Sequence, residues 1–324
     1  MKRRLLVTGV GGFVGGHLQQ WLANWSDSPW QLVPPRRHDL TNPATLDAWL
    51  ADACPDAVIH LAGQTFVPEA FRDPARTLQV NVLGTLNLLE ALKRRGFDGT
   101  FLYVSSGDVY GQVAEADLPI TERQPPQPRN PYAVSKLSAE LLCLQWSHVE
   151  PWRIIVARPF NHIGVGQNAS FVVSSIARQL ARMKLGLQEP VLQVGDVDVT
   201  RDFLDVRDVL NAYFLLLEKG RNGEIYNVCS GQERRIRDLI TEMSRLAEME
   251  LEIAQDPARL RRADQRRVVG SSDKLQNETG WKPGITITET LRSLLSDWEN
   301  RERKKNEQDS SYHWCNGPGR GLPR

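Results

Sequence analysis

A short apolar run, Arg4-Leu5-Leu6-Val7-Thr8, ends directly in the loop Gly9-Val10-Gly11-Gly12-Phe13-Val14-Gly15. A helix follows, with Leu18, Trp21, Leu22 and Trp25 at i, i+3, i+4 and i+7. Gly9, Gly12 and Gly15 are spaced GxxGxxG. The first glycine permits a tight turn, the second lets backbone N–H groups approach a pyrophosphate, and the third lets helix and strand pack closely. The helix N-terminus then faces the anion. Loops collect glycine for many reasons, so the pattern alone is weak. Its place between a buried strand and an amphipathic helix is the context a dinucleotide-binding turn requires.

The rest of the first half repeats the alternation. Trp30–Val33, Ala57–Leu61, Thr100–Val104 and Arg153–Ala157 are strand candidates. A long helix carries Leu78, Val82, Leu86 and Leu89 on one stripe, and Asn130-Pro131 opens another, with Asn as cap and Pro at the first position. Near-continuous apolar strands separated by helices predict a parallel sheet covered on both faces. The expected fold is α/β, a Rossmann-type doubly wound sheet with a smaller C-terminal α/β substrate-binding lobe. The predicted domains are 1–160 for the dinucleotide and 161–305 for the lobe, with some interleaving. Helical patterns in the second part run through Ile176–Met183, Val209–Leu217, Ile236–Leu246 and Ile287–Trp298, with short strands at Val191–Val194 and Glu224–Val228. Residues 306–324 lack periodicity and are rich in Gly, Ser and Pro, which predicts a disordered tail.

Net charge is +1, so no field exists to hold a polyanion, and nucleic-acid or membrane-surface binding is not expected. No apolar run approaches the ~20 residues that cross a bilayer. Cys54, Cys143, Cys229 and Cys315 are scattered, with no CxxC pair, and read as reduced thiols of a cytoplasmic protein. The start, MKRRLLV, imitates a secretory n-region, but the apolar run breaks at Thr8-Gly9, so no targeting segment is read. His313 and Cys315 are two ligands at most, and no metal site is expected.

The second strand ends in Pro34-Pro35 and is followed by Arg36-Arg37. Guanidinium groups suit a ribose 2′-phosphate by charge and bidentate geometry, which favours NADP(H). Two solvated surface arginines are the plain alternative. Asp39 is the other: it becomes the ribose carboxylate of an NAD site if the strand runs further.

Tyr132 and Lys136 lie four apart near the start of a helix and share a face. A free phenol, with a pKa of ~10, exchanges protons poorly at neutral pH. A nearby ammonium in a desolvated cleft is expected to lower that value and let the pair move a proton at a carbonyl or alcohol oxygen. The spacing recurs by chance on many helices. Here the preceding strand runs into Val104-Ser105-Ser106-Gly107-Asp108-Val109-Tyr110-Gly111. Ligands of open parallel sheets sit at such carboxyl ends, and a serine there can bond the same substrate oxygen.

Along nearly all of residues 1–300 the chain resembles the extended short-chain dehydrogenase/reductase family. TGVGGFVG is similar to its TGxxGFxG loop, HLAG at His60–Gly63 to the segment lining the cofactor, Asn81 to its mid-sheet helix asparagine, and SSGDVYG and YAVSK to its catalytic pieces. The resemblance implies Ser106, Tyr132 and Lys136 as catalytic residues, with Ser105 beside them at the substrate. It implies cofactor contacts from Gly9, Gly12, Phe13, Val14, Gly15, Arg36, Arg37, Leu61, Ala62, Gly63, Tyr132 and Lys136, and an adenine contact from Asp39 and Leu40. It further implies a homodimer through the two long helices, Leu78–Lys93 and Tyr132–His148, whose surplus apolar residues include Leu83, Leu88, Leu141 and Trp146.

Arg158-Pro159-Phe160-Asn161-His162-Ile163-Gly164-Val165-Gly166-Gln167 resembles the RPFNHxGPGQ segment of enzymes acting on nucleotide-linked 4-keto-6-deoxy sugars, GDP-linked ones especially. Val165 stands where that pattern has proline. Asn161 can bond a sugar or phosphate oxygen. Arg201-Asp202-Phe203 and Leu260-Arg261-Arg262-Ala263-Asp264 resemble the family's diphosphate clamp. Arg262 stands where the usual RPxD has proline, so the gripping arginine is Arg261 or Arg262. A 4,6-dehydratase needs an added acid and base beside the tyrosine, and related dehydratases carry them at the two variable positions of SSxxVYG. Here these are Gly107 and Asp108, and glycine has no proton to deliver. Asp108 then reads as a substrate partner, a vestige or a loop cap. The implied activity is NADPH-dependent reduction of the C4 keto group of GDP-4-dehydro-6-deoxy-D-mannose to GDP-D-rhamnose, in nucleotide-sugar biosynthesis. A GDP-mannose 4,6-dehydratase is the second reading, an epimerase with retained NAD the third, and a dinucleotide-sensing regulator the non-catalytic one.

Overall fold

The apolar runs become strands of one parallel sheet because each is apolar on both faces. The structure, a computed structural model, describes residues 2–36, 38–256 and 265–315, of which 309–315 by backbone alone. In chain order the first elements are β1 (Arg3–Thr8), α1 (Phe13–Asn24), β2 (Trp30–Leu32), α2 (Pro43–Leu50), β3 (Ala57–His60), α3 (Val67–Arg72), α4 (Pro74–Leu78) and α5 (Gly84–Arg94). Then come β4 (Thr100–Val104), α6 (Pro131–Val149), β5 (Arg153–Pro159), β6 (Asn161–Ile163), α7 (Val172–Lys184) and β7 (Val191–Val194). The remainder are β8 (Thr200–Asp205), α8 (Val206–Lys219), β9 (Ile225–Val228), β10 (Glu233–Arg235), α9 (Ile236–Ala247), β11 (Glu252–Gln255), α10 (Asp273–Thr279) and α11 (Ile287–Cys315).

The large sheet has the order β2-β1-β3-β4-β5-β9, all neighbours parallel. Side chains alternate between its faces. Leu5, Val7, Ala57, Ile59, Leu102, Ile155 and Ala157 enter one core with Leu18 of α1 and residues of α8. Leu6, Val58, Phe101, Tyr103, Ile154 and Val156 enter the other with α2, α5 and α6. This is the doubly wound arrangement expected. From β1 the chain turns to β2 on one side, and β3 lies on the other. The strand order therefore reverses between β1 and β3, and ligands of such sheets sit at the carboxyl ends there.

Two compact units divide the chain. One comprises Met1–His162, Val199–Arg234 and Arg261–Ile285, and the other Ile163–Asp198, Arg235–Leu260 and Thr286–Arg324. The interleaving is thus larger than the expected split at 160, since β8, α8, β9 and α10 return to the first unit. The second unit holds the parallel pair β7–β11 and the helices α7, α9 and α11. There Trp298 Nε1 donates to Ser174 Oγ at 2.9 Å, and Arg178 and Arg182 both grip Glu302.

Several sequence expectations are corrected. The tail expected from 306 continues α11 to Cys315, because Arg303-Lys304-Lys305-Asn306-Glu307-Gln308 is rich in helix formers; 316–324 lie outside the described residues. α2 was not read from the sequence, although Asn42 caps it from its side chain, Pro43 opens it, and Leu46, Trp49 and Leu50 form its stripe. The stripe Leu78/Val82/Leu86/Leu89 is not the buried one. A π-helical turn at Gln79–Leu83 inserts between α4 and α5 and shifts the register. Of that stripe Leu89 is buried, and Thr77, Asn81, Thr85, Leu88 and Leu92 are buried with it in place of Leu78, Val82 and Leu86. Of the expected surplus apolar residues, Leu88 belongs to the core and Trp146 packs against it. Leu83 and Leu141 stand exposed.

Candidate active site

The glycine loop is a cradle that side chains would fill. Gly9 has φ +73°, and a Cβ there would lie 2.8 Å from Ala62 N, on the segment following β3. A Cβ on Gly15 would lie 2.4 Å from Gly9 O. Gly12 caps α1 without a side chain, so its first-turn N–H groups face outward for an anion. Phe13 and Val14 open α1, and Val14 packs onto the core beneath it. The loop fits a dinucleotide pyrophosphate on this geometry.

Beyond β2, Arg36 is exposed, donates to Ala48 O at 3.4 Å and lies 3.6 Å from Asp52. Arg37 lies outside the described residues. Asp39 Oδ1 accepts from the Thr41 hydroxyl at 2.7 Å and from Thr41 N at 2.9 Å, and these bonds hold its carboxyl below the usual range. Leu40 is buried, with a side-chain atom 2.8 Å from where a Cβ on Gly84 would sit.

A directed chain of hydrogen bonds fixes Leu61-Ala62-Gly63. The Thr85 hydroxyl donates to Asn81 O at 2.7 Å and so accepts from His60 Nε2 at 2.9 Å. That assigns Nδ1 as the acceptor of the Thr8 hydroxyl at 2.6 Å, while Thr8 Oγ1 accepts from Ala62 N at 3.1 Å. Burial, aided by the Lys136 charge, lowers the His60 pKa to about 3, so the ring stays neutral. Asn81 does the same for the next residues. Its Oδ1 accepts from Gln64 N at 2.7 Å, and its Nδ2 donates to Gln64 O and to Ser135 Oγ, at 2.9 and 2.8 Å. Ser135 in turn donates to Tyr132 O at 2.7 Å.

Asn130 and Pro131 start α6 as the sequence predicts; Asn130 Oδ1 accepts from Ala133 N at 2.8 Å. Tyr132 and Lys136 are both buried on its first turns. The Ser106 hydroxyl caps a 3₁₀ turn, Gly107–Tyr110, by accepting from Asp108 N at 3.2 Å. The Ser106 hydroxyl and the exposed Asp108 carboxylate both act on the Tyr132 phenol. The expected lowering of the phenol is corrected. Burial raises it well above 10 and the Asp108 charge adds to that, against a downward pull from Ser106. The Lys136 ammonium stands over the Tyr103 ring, 4.6 Å from its centroid, and burial lowers its pKa to about 8. A phenol held protonated is placed to give a proton rather than to take one.

A Cβ on Gly107 would press on the Phe160 ring at 3.1 Å, so a larger residue there needs that ring to give by a few tenths of an ångström. Ser105 is buried, and its hydroxyl has no hydrogen-bond partner among the described residues. Asn161 opens β6 and is exposed. Arg201 lies on β8, where its Nη1 donates to Thr200 O and Gln265 O at 2.7 and 2.9 Å. Its neighbour Asp202 ties down Ser230, Gly231 and Gly270 instead. Arg261 and Arg262 lie outside the described residues. The sequence reading missed the buried pair Glu140–Arg158, although Glu140 sits four residues beyond Lys136 on the same helix face.

Residues 31–294 match the family model described as GDP-mannose 4,6 dehydratase. The chain belongs to that family. Among its relatives, GDP-6-deoxy-D-mannose reductase of Pseudomonas aeruginosa is 66% identical over 307 residues, 94% of this chain and 100% of the relative. A dTDP-glucose 4,6-dehydratase of Streptomyces antibioticus is 30% identical, over 92% of this chain and 93% of that one. Among solved structures, RMD from Pseudomonas aeruginosa complexed with NADPH superposes with a TM-score of 0.89 at 65% identity, over 93% of this chain and all of that one. UDP-glucose 4-epimerase of Thermotoga maritima, with UDP-glucose, gives 0.81 at 26% identity, over 93% of this chain and 99% of that one. The family therefore spans reductase, dehydratase and epimerase relatives on one fold, and the site must distinguish them.

Proposed function

We propose that this chain reduces the C4 keto group of GDP-4-dehydro-6-deoxy-D-mannose with NADPH, forming GDP-D-rhamnose for nucleotide-sugar biosynthesis. One observation carries the direction of the chemistry: the Tyr132 phenol is buried, which raises its pKa and keeps it protonated, while position 107 holds no acid. The identity of 66% over the whole length of a GDP-6-deoxy-D-mannose reductase supports the substrate, and the NADPH complex of the RMD structure supports the cofactor. A 4,6-dehydratase activity is not favoured, since elimination needs the acid that Gly107 lacks.

In this reading Gly9, Gly12, Phe13, Val14 and Gly15 hold the pyrophosphate, Arg36 and Arg37 the 2′-phosphate, and Asp39 and Leu40 the adenine. Leu61, Ala62 and Gly63 line the path to the nicotinamide. Bound there, NADPH supplies the hydride for C4. Ser106 donates a hydrogen bond to the C4 oxygen, and Tyr132 delivers its proton as negative charge develops there. Lys136 holds the nicotinamide ribose. Ser105, Asp108 and Asn161 bind the sugar. Arg201, with Arg261 or Arg262, binds the diphosphate.

The test is incubation with NADPH and a panel of GDP- and dTDP-linked 4-keto-6-deoxy sugars. NADPH oxidation with the GDP-linked mannose derivative, and a rhamnose product, is expected. Turnover confined to another base or sugar would overturn the substrate.

Replacing Arg36 and Arg37 together with Ala is expected to weaken NADPH far more than NADH, each lost charge-assisted bond being worth about 1.5–3 kcal/mol. Fluorescence titration of both cofactors checks it. A preference of the unmodified protein for NADH would reverse the assignment.

We also propose a homodimer in the cytoplasm. Support for the dimer comes from Leu78, Leu83, Val134 and Leu141, which stand exposed on the adjoining α4, π-helical turn and α6. An open depression beside them is lined by Leu78, Pro128, Arg129, Asn130, Pro131 and Val134. Leu83→Glu with Leu141→Glu is expected to give monomers by light scattering. A pair of variants that scatters as the parent protein does would count against this interface. Support for a reducing compartment comes from the free thiols Cys54, Cys143 and Cys229, the last two buried. No helix among the described residues is long and apolar enough to cross a membrane.

A further inference from the structure

Behind the Ser106/Tyr132/Lys136 set lies a charge pair the mechanism above does not use. Glu140 and Arg158 are both buried, at 1% and 3% side-chain exposure, and face each other with two bonds. Arg158 Nε donates to Glu140 Oε2 at 3.1 Å, and its Nη2 donates to Oε1. Glu140 sits one turn beyond Lys136 on α6, while Arg158 comes from the end of β5. The Arg158 guanidinium also stands over the Tyr110 ring, 4.7 Å from its centroid. Tyr110 ends the 3₁₀ turn that Ser106 opens, and its hydroxyl donates to Asn227 Oδ1 at 2.7 Å. One continuous contact path therefore joins the helix carrying Tyr132 and Lys136 to the turn carrying Ser106.

A buried ion pair is a poor source of stability, because desolvation offsets its attraction. Its geometry here fits another role. We infer that the Glu140–Arg158 pair positions the catalytic centre: Glu140 sets a carboxylate one turn from Lys136 on α6, and Arg158 sets Ser106 in register with Tyr132 by clamping Tyr110. The inference rests on the proposed roles of those three residues. The groups that act on or face Lys136 are Cys143 and Glu140 on its own helix, Tyr103 on β4 and the neutral His60 on β3. Glu140 is the carboxylate among those named here, so its charge opposes the desolvation of the ammonium.

The test compares Glu140→Gln, Arg158→Lys and the double variant Glu140→Gln/Arg158→Met. Three readouts are taken: melting temperature, NADPH affinity against pH, and kcat and kcat/KM for the keto sugar against pH. In the parent protein, NADPH affinity and kcat/KM are expected to fall as pH rises through about 8, where Lys136 loses its proton. Glu140→Gln should move both falls to lower pH by about one unit and lower kcat about tenfold. Arg158→Lys keeps a charge beside Glu140 but loses the planar contact with Tyr110. It should leave the falls in place and lower kcat alone.

The double variant leaves no unpaired buried charge, so its melting temperature should recover toward the parent value. Its kcat and its pH profile should not. A double variant that regains both activity and profile would make the pair purely structural and overturn the inference. So would a folded Glu140→Gln protein with the parent's kcat and profile. A parent protein that lacks turnover and also lacks the fall in NADPH affinity overturns the reading of the site, and the inference with it. Should Glu140→Gln fail to fold, the double variant and Arg158→Lys decide the matter by the same criteria.

Discussion

Tyr132→Phe is expected to lower kcat for ketone reduction by about a thousandfold, within the usual reach of a positioned general acid. The phenol's proton matters only once charge develops on the C4 oxygen, so the loss belongs in kcat and not in cofactor affinity. NADPH should bind the variant nearly as tightly as the parent protein. The phenol is buried, and burial raises its pKa against a downward pull from Ser106. Ser106→Ala should cost less, about ten- to a hundredfold, since it removes one hydrogen bond to the developing oxyanion. Stopped-flow measurement of hydride transfer and a separate NADPH titration would check both. Near-full turnover by Tyr132→Phe would remove the acid assignment.

Gly15→Ala should carry the second large effect, on binding and stability together. Its Cβ would meet Gly9 O at 2.4 Å and Val10 Cα at 2.5 Å. Both are backbone atoms of the loop itself, so no side chain can swing away to make room. Overpacking of this kind costs about 1–3 kcal/mol or more, and relief requires the loop to move from the end of β1. The melting temperature should fall by roughly 5–10 °C. NADPH affinity should fall at least about a hundredfold, because the N–H groups of α1 would no longer face the pyrophosphate. Gly16→Ala is the control. A Cβ there meets nothing within 4 Å, and alanine favours the helix over glycine. A Gly15→Ala protein with the parent's melting temperature and affinity would show that the loop tolerates a side chain.

Both expectations start from features legible in the chain as written. The near-continuous apolar runs Leu5-Leu6-Val7 and Phe101-Leu102-Tyr103 read as buried strands because both faces of a parallel sheet are covered. The glycine turn, the Asn130–Pro131 helix start and the Tyr132/Lys136 spacing were equally legible. Each depends on neighbours a few residues away, where backbone sterics and hydrogen bonding act locally. The order of these pieces along the chain, with Ser106 between them, also carried the family resemblance.

Long-range packing decided the rest. The π-helical turn at Gln79–Leu83 buries Thr77, Asn81 and Thr85 in place of the apolar stripe, because Asn81 and Thr85 are held by Gln64, Ser135 and His60. No local pattern announces that exchange. Glu140 and Arg158 look like surface charges in one dimension and become a buried pair only when α6 lies against β5. The phenol of Tyr132 reads as an acid lowered by its lysine, yet burial raises it, since desolvation depends on the whole surrounding fold. Sequence alone thus determined which residue types stand at the carboxyl ends of the strands. The tertiary structure decided their burial, and burial sets which of them hold a proton.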